Sequence, residues 1–153
     1  MIFDMKTLMS MFVLLALVAS SALGYIWVQN RTRYKGIHYW FISMMMQMPA
    51  SLLITLREDI PAFYSVVLAN ILIVDAVLLL QIGLELFIGI RKRHMLEMIL
   101  MAGYVAALFY FSLINDNISA RIGLLSFMII VFSTKICLLY FRDRKSTRLN
   151  SSH

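Results

Sequence analysis

Charge is scarce in this chain. Only 14% of its 153 residues are Asp, Glu, Lys or Arg, against 61% hydrophobic ones, too little polar surface to coat a soluble domain of that size. The single cysteine, Cys137, lies inside an apolar run; it excludes an internal disulfide, argues against a thiolate metal centre, and reads as a small buried or lipid-facing hydrophobe. The period-two alternation of barrel strands is missing too. Of the two structures that satisfy their own backbone groups in lipid, the helical bundle is therefore the one expected. Internal repeats and low-complexity linkers are also absent.

What fills the sequence is apolar stretches at residues 8–28, 38–56, 61–83, 95–114 and 118–141. A spanning helix needs about 20 apolar residues at 1.5 Å each to cross about 30 Å of hydrocarbon, so an all-α polytopic bundle of about five spans is expected. The breaks between the stretches alternate in charge. Arg31, Arg33 and Lys35 fill the first, Arg91, Lys92 and Arg93 the third, and Arg142 follows the last stretch. The second carries Arg57 with Glu58 and Asp59; the fourth carries Asp116 between Asn115 and Asn117, with Arg121 just beyond. Because Lys and Arg gather in cytoplasmic loops, the amino terminus is expected outside and the carboxyl terminus in the cytoplasm. Trp27, Tyr34, Tyr39, Trp40 and Tyr140 then crowd the inner boundary, where amphipathic rings favour the interface. The net charge of +6 follows from this loop bias and gives no reason to invoke nucleic acid. The lipid bilayer is the expected partner.

Lys6, the apolar residues 8–18 and the small residues 19–22 loosely imitate a cleavable signal peptide. Cleavage there would place Arg31, Arg33 and Lys35 outside, against the charge rule, and the apolar run continues through Tyr25, Ile26, Trp27 and Val28, as a span would. The other end changes character abruptly. Residues 143–153 read DRKSTRLNSSH, which looks like one frame of a translated sequencing adapter rather than a native tail. Residues 1–142 are then the genuine membrane region, incomplete at its carboxyl end, and 143–153 a non-native artefact.

Polar groups inside an apolar span are expensive and mark functional candidates. Asp75, about 22 Å along a helix entering near Ile60, is the deepest acid. Lys135, roughly 10 Å from the level of Arg142, is the cation at comparable depth and its candidate partner. Asn70 and Gln81 share the third stretch with Asp75, which makes that helix the expected lining of the bundle; interhelical hydrogen bonding is the ordinary role of such amides. These residues, Asp75, Lys135, Asn70 and Gln81, form the candidate intramembrane polar site.

Glu85 and Glu97 lie within a turn or two of Arg91, Lys92 and Arg93 and read as solvated or interfacial pairs. His94, after three cations, reads as a surface residue rather than a haem ligand. Met44, Met45, Met46 and Met48 beside His38 contain soft thioethers, but consecutive methionines point around a helix and read as apolar filler. No catalytic, cofactor-binding or metal residues are assigned. Pro49 removes a backbone donor and is expected to kink the second span. Small residues at four-residue spacing, Ala16, Ser20 and Gly24 on the first helix and Gly103 and Ala107 on the fourth, offer faces for close packing within the bundle.

The segment FDMKTL at residues 3–8, the basic patch after the first span, and LREDIPAFYSVVLANILIV at residues 56–74 together resemble a bacterial sensor region. So do IGLELFIGIRKR at residues 82–93 and SARIGLLS at residues 119–126. The region is the multi-span membrane module found in front of GGDEF-type diguanylate cyclase domains. The likeness is strongest around Ile60, Pro61, Ser65, Ala69 and Asn70. It implies a multi-pass protein of the bacterial cytoplasmic (inner) membrane whose parent makes cyclic di-GMP from GTP and acts as a homodimer. This chain contains no GGDEF motif, so no catalytic residue is carried over and no cofactor is implied. A histidine kinase or phosphodiesterase output is a related alternative. A small transporter or channel subunit, with Asp75, Asn70 and Gln81 lining a path, belongs to a different class.

Overall fold

The computed structural model describes residues 5–61, 63–90 and 94–150, with side chains for residues 7–61, 63–90 and 94–141. It is helical, with no strand among the described residues. Helix α1 spans Met5–Asn30, α2 Ile37–Thr55, α3 Ala69–Phe87, α4 Met95–Phe109 and α5 Ile118–Asn150. A π-helical segment, Phe63–Leu68, leads into α3, and another, Tyr110–Ile114, closes α4. The chain runs back and forth, so residues 31–36, 88–90 and 94 share one end and residues 56–61 and 115–117 the other. These are called the basic and the acidic end.

Among the described residues four helical segments are long and apolar enough to cross a membrane: Thr7–Asn30, Phe63–Phe87, Met95–Ile114 and Ile118–Phe141. The remaining helix, α2, is diluted by His38, Gln47, Pro49 and two serines. Those serines are turned inward: Ser43 donates to the carbonyl of Ala76 at 2.7 Å and Ser51 to that of Gln47 at 2.8 Å. The helix passes through Pro49 without ending. Large apolar side chains cover the outside, among them Leu14, Leu15, Val18, Ile99, Ile114 and Leu138, a surface suited to lipid.

The tightest pairing is antiparallel, α2 on α3. Gly36 opens α2 at φ 103°, a conformation favouring glycine, and its carbonyl comes close enough to Gly83 that no larger residue fits there. Trp40 donates its indole N–H to the carbonyl of Leu80 at 3.3 Å, while its ring packs on Phe87 with centroids 5.4 Å apart. Tyr34 stacks on the same Phe87, and Trp27 stacks on Phe41, so aromatic rings gather at the basic end. The first helix uses its small face as expected: Ala16 and Ser20 are buried and Gly24 faces Phe41 of α2. The small face of α4 is not used in this way, because Gly103 is exposed and a Cβ there would meet nothing within 4 Å.

Helices α3, α4 and α5 enclose the core. Val67, Val74, Tyr104, Leu108, Met128 and Phe132 form one buried apolar cluster, flanked by Ile71, Val77, Leu78 and Leu100. Polar groups collect on either side of it.

Candidate functional site

Two features fix α3 at the basic end. Val67, Val74 and Gln81 recur every seven residues, with Glu85 one turn further on, so all four occupy the inward stripe of a continuous helix. The helix stops in a Schellman turn: Gly89, at φ 82°, donates to the carbonyl of Leu86 at 3.1 Å, and Ile90 donates to that of Glu85 at 2.8 Å. This turn delivers the chain to His94 and the start of α4, where Glu97 lies in the first turn.

The outcome is a buried polar cluster. Gln81 is fully buried, Glu85 3% and Glu97 8% exposed. Gln81 donates its Nε2 to Glu85 Oε1 at 3.1 Å. The second Glu85 oxygen, Oε2, lies 3.8 Å from His94 Nε2, beyond a hydrogen bond. From α5, Lys135 donates its ammonium to Glu97 Oε1 at 2.6 Å. Gln81 Oε1, Glu85 Oε2 and His94 Nδ1 are buried with no hydrogen-bond partner among the described residues.

These positions correct the sequence reading in three places. Lys135 reaches Glu97 rather than Asp75, because antiparallel packing sets it opposite the first turn of α4, a lateral arrangement that depth along the chain does not encode. Glu85 and Glu97 are interior groups, not solvated ones; the basic run Arg91, Lys92 and Arg93 lies outside the described residues. His94 is half-buried against Glu85. Of the four residues singled out earlier, the structure brings Gln81 and Lys135 into one cluster and leaves the other two elsewhere. Asp75 is half-buried, within electrostatic range of Tyr104, and has no hydrogen bond or ion pair among the described residues. The carbonyl of Asn70 accepts a long bond, 3.5 Å, from the Tyr104 hydroxyl.

At the acidic end Asn70 borders a cavity of about 180 Å³, lined also by Arg57, Ser65 and Arg121. Arg121 is almost fully buried and bonds the exposed Asp116 of the neighbouring loop at 2.9 Å. The heptad spacing of Gln81 from Val67 and Val74, continued to Glu85, was the sequence signal for an inward carboxylate. It went unused because Glu85 stands close to three cations.

No protein-family model, curated protein or solved structure matches the chain. Function is therefore read from the chemistry of these residues.

Proposed function

We propose that this chain is the sensory and anchoring region of a bacterial signalling protein, embedded in the cytoplasmic membrane by five spans. In this reading the basic end faces the cytoplasm and the acidic end the periplasm, and the parent is a homodimeric diguanylate cyclase. The observation that carries the sensory role is the polar cluster. Its Lys135–Glu97 pair ties α4 to α5, the helix that leads out of the bundle toward an output domain, and the Gln81–Glu85 bond of α3 lies in the same cluster. A change in that cluster would be felt first in the position of α5.

Support for the fifth span comes from α2, which at 19 residues reaches about 28 Å and packs between α1 and α3. A transport path would need polar groups in continuous line. Here the apolar cluster around Leu108 and Phe132 stands between Asn70 at one end and Gln81 at the other.

Two measurements test the proposal. Reporter fusions after Lys35, Arg93 and Phe141 are expected to report cytoplasm, and fusions at Glu58 and Asn117 periplasm; the inverse pattern would remove the cytoplasmic output. Amplification of the locus from source DNA is expected to depart from DRKSTRLNSSH after about Arg142 and to continue into a GGDEF domain. Recovery of the same codons followed by a stop would refute the cyclase parent.

A further inference from the structure

We infer that Glu85, His94 and Glu97 form a binding site for one divalent transition-metal ion at the basic end of the bundle. One ligand atom from each can be chosen so that all lie within 4.8 Å of one another. An ion held at about 2.0–2.2 Å from nitrogen and oxygen ligands sets those ligands some 3.3–3.6 Å apart in a tetrahedron, so side-chain rotations of about 1 Å close the site around it.

The cluster by itself would not carry a metal; its unpaired atoms do. Glu85 is 97% buried, and its Oε2 has no hydrogen-bond partner among the described residues, although a buried carboxylate oxygen is costly to leave bare. Gln81 occupies the other oxygen of the same carboxylate and so turns Oε2 toward the imidazole. That imidazole approaches without bonding, at 3.8 Å, and its own Nδ1 is buried with no partner among the described residues. Carboxylate and imidazole therefore face each other across a gap too wide for a hydrogen bond and suited to a cation between them. Lys135 does for Glu97 what Gln81 does for Glu85. By holding Oε1 it leaves the second oxygen for the ion and fixes the plane of the carboxylate, as hydrogen-bonded partners of metal ligands commonly do.

The donor set defines the ion. Two carboxylates with one imidazole suit Zn²⁺, Mn²⁺ or Fe²⁺, whereas Ca²⁺ and Mg²⁺ favour oxygen alone. Among the described residues of the cluster two carboxylates stand against one lysine, a balance that a divalent cation would complement. Access runs past His94, the partly exposed member. The ion would join the end of α3 to the start of α4 across the loop between them. The inference concerns binding and holds whether or not the parent is a cyclase.

The test uses the full chain in lipid nanodiscs, free of any affinity tag and stripped with a chelator, titrated with Zn²⁺ alone and separately with Co²⁺ as an absorbing probe. One ion per chain is expected, with a dissociation constant in the micromolar range and a rise in the unfolding temperature on saturation. Glu85→Gln and His94→Gln are each expected to weaken binding at least tenfold, while His38→Gln leaves it unchanged. Should Glu85→Gln fail to fold, His94→Gln carries the test, since His94 stands before α4 and is partly exposed. Absence of binding by the folded protein up to about 1 mM metal would overturn the inference, as would binding that survives His94→Gln within twofold.

Discussion

Gly83→Leu is expected to force α2 away from α3 and to lower stability by about 3 kcal/mol or more, the upper range for overpacking. A Cβ at this position would lie 2.6 Å from both Cδ1 and Nε1 of Trp40 and 2.9 Å from the carbonyl oxygen of Gly36. Neither neighbour yields readily. The indole is held by Leu80 and Phe87, and the carbonyl belongs to the residue that opens α2. Thermal unfolding of the detergent-solubilised protein, followed by loss of the monodisperse peak in size exclusion, measures the effect. Gly103→Leu is the control, because a Cβ there meets nothing within 4 Å, and it should unfold with the parent. Equal midpoints for Gly83→Leu and the parent would disprove the close helix crossing.

Breaking the Glu97–Lys135 pair should be nearly as damaging. Removing one partner of a fully buried pair costs about 3–5 kcal/mol. The Lys135 side chain is 32% exposed, so Glu97→Gln and Lys135→Met are each expected to cost about 2 kcal/mol after that discount. The double variant should recover part of the loss, because no charge is then left alone in low dielectric, with a coupling of about 1–2 kcal/mol. Unfolding in graded denaturing detergent, run on all four members of the cycle, gives the coupling directly. Strictly additive losses would dissolve the pair. Asp75→Asn, by contrast, removes no ion pair among the described residues and is expected to change stability by less than about 1 kcal/mol.

The helical class and most helix boundaries were legible because lipid demands an unbroken apolar length, and length is a property of the sequence itself. Thus the fourth stretch, at residues 95–114, coincides with the span Met95–Ile114, and the fifth with Ile118–Phe141. The small face of α1 was legible for a related reason: Ala16, Ser20 and Gly24 sit on one side of one helix. What one helix meets across the bundle was not. Gly103 and Ala107 share a spacing with Ala16 and Ser20, yet α4 turns Gly103 outward because Tyr104 and Leu108 take the inward stripe. In the same way Lys135 was matched to Asp75 by depth alone, and only the packing of α5 on α4 sets it against Glu97. Exposure of Glu85 was misjudged from its proximity to cations. The helix phase, which carries Val67, Val74 and Gln81 inward, outweighs sequence distance to a charge.

The π-helical segments lie together at the acidic end, where Phe63 and Phe109 approach with ring centroids 6.0 Å apart. In the second, Asn115 donates to the carbonyl of Tyr110 at 3.0 Å, a five-residue step in place of four. Each segment is slack wound into a helix: shifting the register by one residue turns the side chains that follow by about 100° without unravelling the rod. Ser65 and Ser112, whose buried hydroxyls lack partners among the described residues, are the residues such a turn would re-aim. With Gly36 and Gly83 clamping the opposite end, the bundle resembles a torsion spring fixed at the basic end and wound from the acidic one.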